Sequence, residues 1–135
     1  MTPTQPTDAA TLLALAERVE SAPLEMQGKL LEQAWELCAE YSAEFRAFTT
    51  SYLSGFDNNA GRFSMCLEAS AYESAAMMLV PEGLAFEMTT TGYKPGATVC
   101  GNPMFDTHEG AYAATPALAL VAAALRARAA MGEEN

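Results

Sequence analysis

With 135 residues, 50% of them hydrophobic and 18% charged, the chain is long enough to bury one core and too apolar to be disordered throughout. Seventeen acids against seven lysines and arginines give a formal charge of −10, which argues against direct binding to DNA, RNA or anionic lipid, because such affinity comes from Lys and Arg neutralising phosphates. Cys38, Cys66 and Cys100 are odd in number and widely spaced, unlike a secreted disulfide framework. No apolar run reaches the ~18 residues that span a bilayer.

Residues 1–6, with Pro3 and Pro6 among Thr and Gln, read as a flexible tail. They carry no cationic segment followed by an apolar run, so they do not resemble a signal peptide, and a cytoplasmic protein is expected. Thr7 or Asp8 can cap a first helix to about Ala22, with Leu12, Leu15, Ala16 and Val19 on one face. Pro23 separates it from a second helix, for which Ser21 is the expected cap. That helix carries the clearest period in the chain, through Leu30, Leu31, Ala34, Leu37, Cys38, Tyr41, Phe45, Phe48 and Tyr52. It is expected from Leu24 to as far as Leu53, unless Thr49-Thr50-Ser51 breaks it.

After a turn between Gly55 and Gly61, the alternation of Phe63, Met65 and Leu67 with Arg62, Ser64 and Glu68 predicts a short strand over 62–68. A third helix follows from about Ser70 to Leu79, ended by Pro81 and Gly83. Leu84 to Thr91 alternates as a strand with Leu84, Phe86 and Met88 on one face. Gly92–Gly96 turns it into a second strand over 97–100. Residues 101–110 read as a polar loop, with an edge strand over 111–113. Thr115 then caps a closing helix with Pro116 in its first position, Leu118, Val121, Ala122 and Leu125 on one face, Arg126 and Arg128 in its last turns, and Gly132 at its end.

Two blocks, Ser74-Ala-Ala-Met-Met-Leu-Val-Pro-Glu-Gly83 and Ala114-Thr-Pro-Ala-Leu-Ala-Leu120, resemble the middle and closing motifs of the phage ABA sandwich family. The likeness covers residues 70–131, with Ser74 where the family commonly has an acid and Leu84 where it has an aromatic residue. It implies a small phage or prophage accessory protein in the host cytoplasm, with no general reaction and no catalytic residues to transfer. The expected architecture is α+β: a small antiparallel sheet of two or three strands sandwiched by helices, with a helical N-terminal extension. Residues 7–131 are expected to form one domain, with 7–55 as the extension and 62–131 as the sandwich-like core, and 132–135 as a tail.

Glu32, Glu36, Glu40 and Glu44 form a stripe at i+4 spacing, with about 6 Å between successive carboxylates. Such a row can be a solvated helix face, or it can imitate a run of phosphates for a nucleic-acid-binding protein. Trp35 falls outside the apolar set, on the flank of the helix, where it is either an interface anchor or packed on the first helix. No motif for a cofactor, a metal or a catalytic constellation is present, so a non-enzymatic protein is expected. Its partner would be a host protein with a basic surface, antagonised through the acidic stripe, and self-association is also expected. Two alternatives remain. One is an oligomeric sink for a nucleotide or signal molecule, with Arg62, Lys94 and Arg128 converging; the other is a small hydrolase or transferase using Cys100 and the lone His108.

Overall fold

The computed structural model describes residues 9–41, 59–81, 84–90, 94–100 and 108–133. Among them, five α-helices and a three-stranded antiparallel sheet form a mostly helical α+β fold that starts with a helix. Helix α1 (Ala9–Glu20) buries Leu12, Leu15, Ala16 and Val19, the face that its 3.6-residue period dictates. Its expected cap at Thr7 or Asp8 lies outside the described residues. The Ser21 hydroxyl donates back to the Glu17 carbonyl at 3.2 Å, so it closes α1 instead of capping the next helix. A 3-10 turn over Leu24–Met26 leads into α2 (Gln27–Tyr41), which buries Leu30, Leu31, Ala34, Trp35 and Cys38. The extension of this helix towards Leu53 lies outside the described residues.

The strand expected over 62–68 is a helix, α3 (Asn59–Glu68). Phe63 is buried while Cys66 and Leu67 are half-buried, an i, i+3, i+4 face; Met65, which alternation would have turned inward, is exposed. Tertiary packing of Phe63 overrode a two-residue alternation too short to decide between the two periods. The helix expected over 70–79 is likewise shorter. Ser70 adopts φ 58 in the left-handed region, and the Ala71 N–H donates to the Cys66 carbonyl at 2.8 Å while the Ser70 N–H donates to Leu67 at 3.0 Å. Those two bonds form a Schellman stop, after which α4 (Tyr72–Met77) starts afresh.

The sheet has the order β1 (Ala85–Thr89), β2 (Gly96–Cys100), β3 (His108–Tyr112). β3 spans part of the stretch expected to be loop, because its polar His108, Glu109 and Gly110 hide it from a hydrophobic pattern. Registers Phe86↔Val99, Met88↔Ala97 and Ala97↔Ala111 place these residues on one face, with Val99, Ala97 and Ala111 buried. Glu87, Thr98, Cys100, Gly110 and Tyr112 share the opposite face. There Tyr112 is 64% exposed, and its ring lies so close over Gly96 that an added Cβ would meet it at 3.0 Å.

Helix α5 (Pro116–Glu133) is the centre of the molecule. The expectation was an apolar stripe; the finding is that every residue from Ala117 to Leu125 is buried. A helix apolar all round must be covered all round. α1 packs along it more extensively than any other element does, β2 and β3 cover another side, and α4 and α2 complete the enclosure. The sheet therefore lies on α5 with one face, and α1 and α2 belong to the same core as the sheet.

Side-chain bonds fix α5 at several points. The Leu118 N–H donates to Thr115 Oγ1 at 3.1 Å, the expected N-cap, and the Thr115 hydroxyl donates to Gln27 Oε1 at 2.9 Å, tying the helix start to α2. Arg126 bonds both Glu20 carboxylate oxygens at 2.7 and 3.3 Å, and Arg128 donates to the Leu79 carbonyl at 2.8 Å. These arginines are mid-helix cross-links, not last-turn partners of the dipole, since α5 continues through Gly132 to Glu133.

Two substitutions test this account by urea denaturation. Ser70→Gly relieves a left-handed residue that carries a Cβ and is expected to raise stability by about 1 kcal/mol. Thr115→Ala removes the cap and the Gln27 bond and is expected to lower stability by about 1–2 kcal/mol. No change in the midpoint for either variant would refute the corresponding cap.

Candidate functional site

The outward side of α2 carries Glu32 and Glu36 one turn apart, both exposed. Neither has an ion-pair partner among the described residues, where the one cross-element pair recorded joins Glu20 to Arg126. Glu40 occupies the next turn of α2, and Glu44 lies outside the described residues. Trp35 is not on an exposed flank: it is 9% accessible and stacks on Phe63 with ring centroids 4.4 Å apart and planes at 21°. The partner that buries it belongs to α3, the helix that alternation had disguised as a strand. Trp35 thus joins α2 to α3, with stacking worth about 0.5–1.5 kcal/mol beyond area burial.

Beside the glutamates, α1 and α2 leave an open cleft of about 330 Å³ lined by Thr11, Ala14, Leu15, Arg18, Gln33, Glu36 and Leu37. Arg18 Nη2 donates to the neutral Gln33 Oε1 at 3.1 Å, so this cation is positioned by an amide in the cleft that Glu36 also lines. No sequence pattern marks this cleft. It arises where exposed Ala14 and half-buried Leu37 oppose each other across two helices, a juxtaposition that only tertiary structure supplies.

The basic residues expected to converge are differently employed. Arg128 donates to the Leu79 carbonyl, Arg62 is exposed on α3, and Lys94 is half-buried just before β2. The α1–α2 cleft contains none of the three. The cysteines also have separate settings. Cys38 is buried, and desolvation pushes its thiol above the ordinary value of 9.0, with the Arg128 charge partly offsetting the rise. Cys66 and Cys100 are half-buried and free. The β2–β3 register sets Cys100 directly opposite His108, so the pair singled out in the sequence is brought together at the end of the hairpin. Among the described residues no group of three or more His, Cys, Asp or Glu could hold a metal ion, and no helix is long and apolar enough to cross a membrane.

No family model, curated protein or solved structure matches the chain.

Burial of Cys38 has a measurable consequence. The folded state holds the thiol protonated, whereas the unfolded chain releases the proton near pH 9.0, so this group's contribution is intact below that pH and is lost as pH rises above it. Cys38→Ala should cost about 1 kcal/mol at neutral pH through the cavity it leaves. The stability gap between the two proteins should then narrow between pH 8 and pH 10, a window bracketing the 9.0 reference. A gap independent of pH would show that the thiol does not titrate differently on folding.

Proposed function

We propose that this protein acts by binding a basic protein surface through the α1–α2 face, and that it is a phage or prophage accessory protein antagonising a host factor that handles nucleic acid. The supporting observation is the exposed Glu32–Glu36 pair, without an ion-pair partner among the described residues, of which Glu36 lines a cleft with an apolar floor. Interfaces combine an apolar centre with a polar rim, and complementary charge sets the encounter rate and the register. Here Ala14, Leu15 and Leu37 supply the centre, Glu36 and Arg18 are the charged residues of the lining, and exposed Glu32, one turn of α2 from Glu36, adds negative charge beside it. The formal charge of −10 extends the attraction beyond the contact itself. The phage setting follows from the resemblance of the Ser74–Gly83 and Ala114–Leu120 blocks. Self-association would double the acidic surface and belongs to the same proposal.

The test is capture of host proteins on immobilised protein at low and high salt, followed by affinity measurement with the purified partner. Glu32→Lys with Glu36→Lys should weaken binding by roughly tenfold or more, since each reversal replaces an attraction by a repulsion. Glu87→Lys on β1 should leave it nearly unchanged. Binding that ignores the double reversal, or that survives high salt undiminished, would remove the proposal.

A further inference from the structure

We propose that the free edge of β1 takes up an extended segment of another protein as a fourth, antiparallel strand, with a Lys or Arg opposite Glu87 and an apolar residue on either side of it. β1 pairs with β2 along one side only, and the sheet ends there, so the peptide groups along its other side have no strand to bond among the described residues. Proteins commonly protect such an edge with proline, lysine or a bulge. Ala85-Phe86-Glu87-Met88-Thr89 holds neither residue, and its register with β2 runs unbroken from Ala85↔Cys100 to Thr89↔Gly96.

The side chains define what fits there. Of the three strands β1 packs least on α5, and Phe86, though on the inner face beside wholly buried Val99, stays 38% exposed. Met88, the next residue along that face, is half-buried. A fourth strand would cover this ledge, since directly opposed residues share a face, with Cβ atoms about 4.5–5.5 Å apart. Between the two, Glu87 is exposed on the outer face and has no ion-pair partner among the described residues.

Charge selects the occupant. Pairing β1 with the β1 of a second copy, in the register that sets Phe86 against Met88, places Glu87 directly opposite Glu87, and like charges so placed are destabilising. Each copy also carries a formal charge of −10, which repels the other at longer range. A basic segment gains from both effects. Main-chain bonds along the edge supply affinity, and the apolar–basic–apolar alternation supplies specificity. None of the residues lining the α1–α2 cleft belongs to the sheet, so this surface is separate from the acidic helical face.

The experiment uses the full chain and a labelled peptide, Thr-Thr-Val-Lys-Val-Thr-Thr blocked at both ends, with binding followed by fluorescence anisotropy and its location by amide hydrogen exchange. Binding should saturate and slow exchange within residues 85–89. Replacing the peptide's lysine by glutamate should weaken binding about threefold to tenfold, the difference between an opposed and a like charge pair across two strands. Methylating alternate peptide nitrogens along one side should abolish it, because an added strand needs those donors. Glu87→Lys should reverse the preference in favour of the glutamate peptide, a swap that a merely structural role would not give. Glu32→Lys with Glu36→Lys should leave peptide binding nearly unchanged, so failure here is distinguishable from failure of the helical-face reading. The proposal would be overturned by an absence of saturable binding, by an unreversed preference in folded Glu87→Lys, or by protection that falls outside β1. Slow exchange along β1 in the free protein that is lost on dilution would overturn it too, by showing a second copy on the edge.

Discussion

The enclosure of α5 is the constraint on which the other elements depend. Between Ala113 and Arg126 the chain has no charged residue, and five of the nine fully enclosed positions from 117 to 125 are alanine. Alanine has the highest helix propensity and the smallest side chain that still buries apolar surface, so neighbouring elements can approach the backbone closely. The price is that alanine offers little area per residue, and stability then depends on covering the helix from every direction. That requirement explains why a small three-stranded sheet suffices on one side, and why α1, α2 and α4 are needed on the others. It also explains the cross-links at the boundary: Thr115 to Gln27, Arg126 to Glu20 and Arg128 to Leu79 each tie α5 to a different surrounding segment.

How far the sequence discloses this fold depends on whether one local period dominates. In α1 the face Leu12, Leu15, Ala16, Val19 is legible because its i, i+3, i+4, i+7 spacing is set off by Thr11, Glu17, Arg18 and Glu20, even though Leu13 and Ala14 are apolar too. The Thr115-Pro116 start of α5 is legible because capping chemistry is local. The all-round burial of α5 is not, since a stripe of larger residues among alanines looks amphipathic until alanine is counted as core. In α3, Phe63, Met65 and Leu67 alternate by accident of composition, and only the stacking of Phe63 on Trp35 shows which period holds. The same misassignment left Trp35 without a partner and made it look exposed. β3 was obscured for the converse reason: its first three residues are His108, Glu109 and Gly110, which give no apolar signal, and only Ala111 is small and buried.

The candidate sites divide along the same line. Glu32 and Glu36 could be placed on an exposed face from spacing alone, because a helix fixes the relation of i and i+4. The cleft beside them could not, since it needs the relative position of two helices. Cys100 and His108 are eight residues apart, with a polar stretch between them, and nothing local decides whether they meet. The strand register decides it, through hydrogen bonds that begin at Gly96 and Tyr112 and propagate residue by residue to the far end of the hairpin. A single-residue slip would carry Cys100 to the opposite side from its partner.

The two surfaces attach to different sides of α5, and this separates their chemistry. The acidic face is built on α1 and α2, which pack on α5 and bury Leu12, Leu15, Val19, Leu30 and Leu31 in the same core. The sheet packs on α5 and buries Val99, Ala97 and Ala111 on its inner face, opposite its outer one. A change confined to the outer face leaves those contacts intact, so its effect on the helical face must pass through a close-packed helix whose residues 117–125 are all buried and apolar. Energetic coupling between sites needs an element that both can shift between two states. An enclosed helix tied at several points is a poor candidate for such an element. A substitution on the sheet should therefore add to or subtract from binding by local charge and bulk at that surface, and coupling between the two surfaces at constant charge would be evidence that α5 moves.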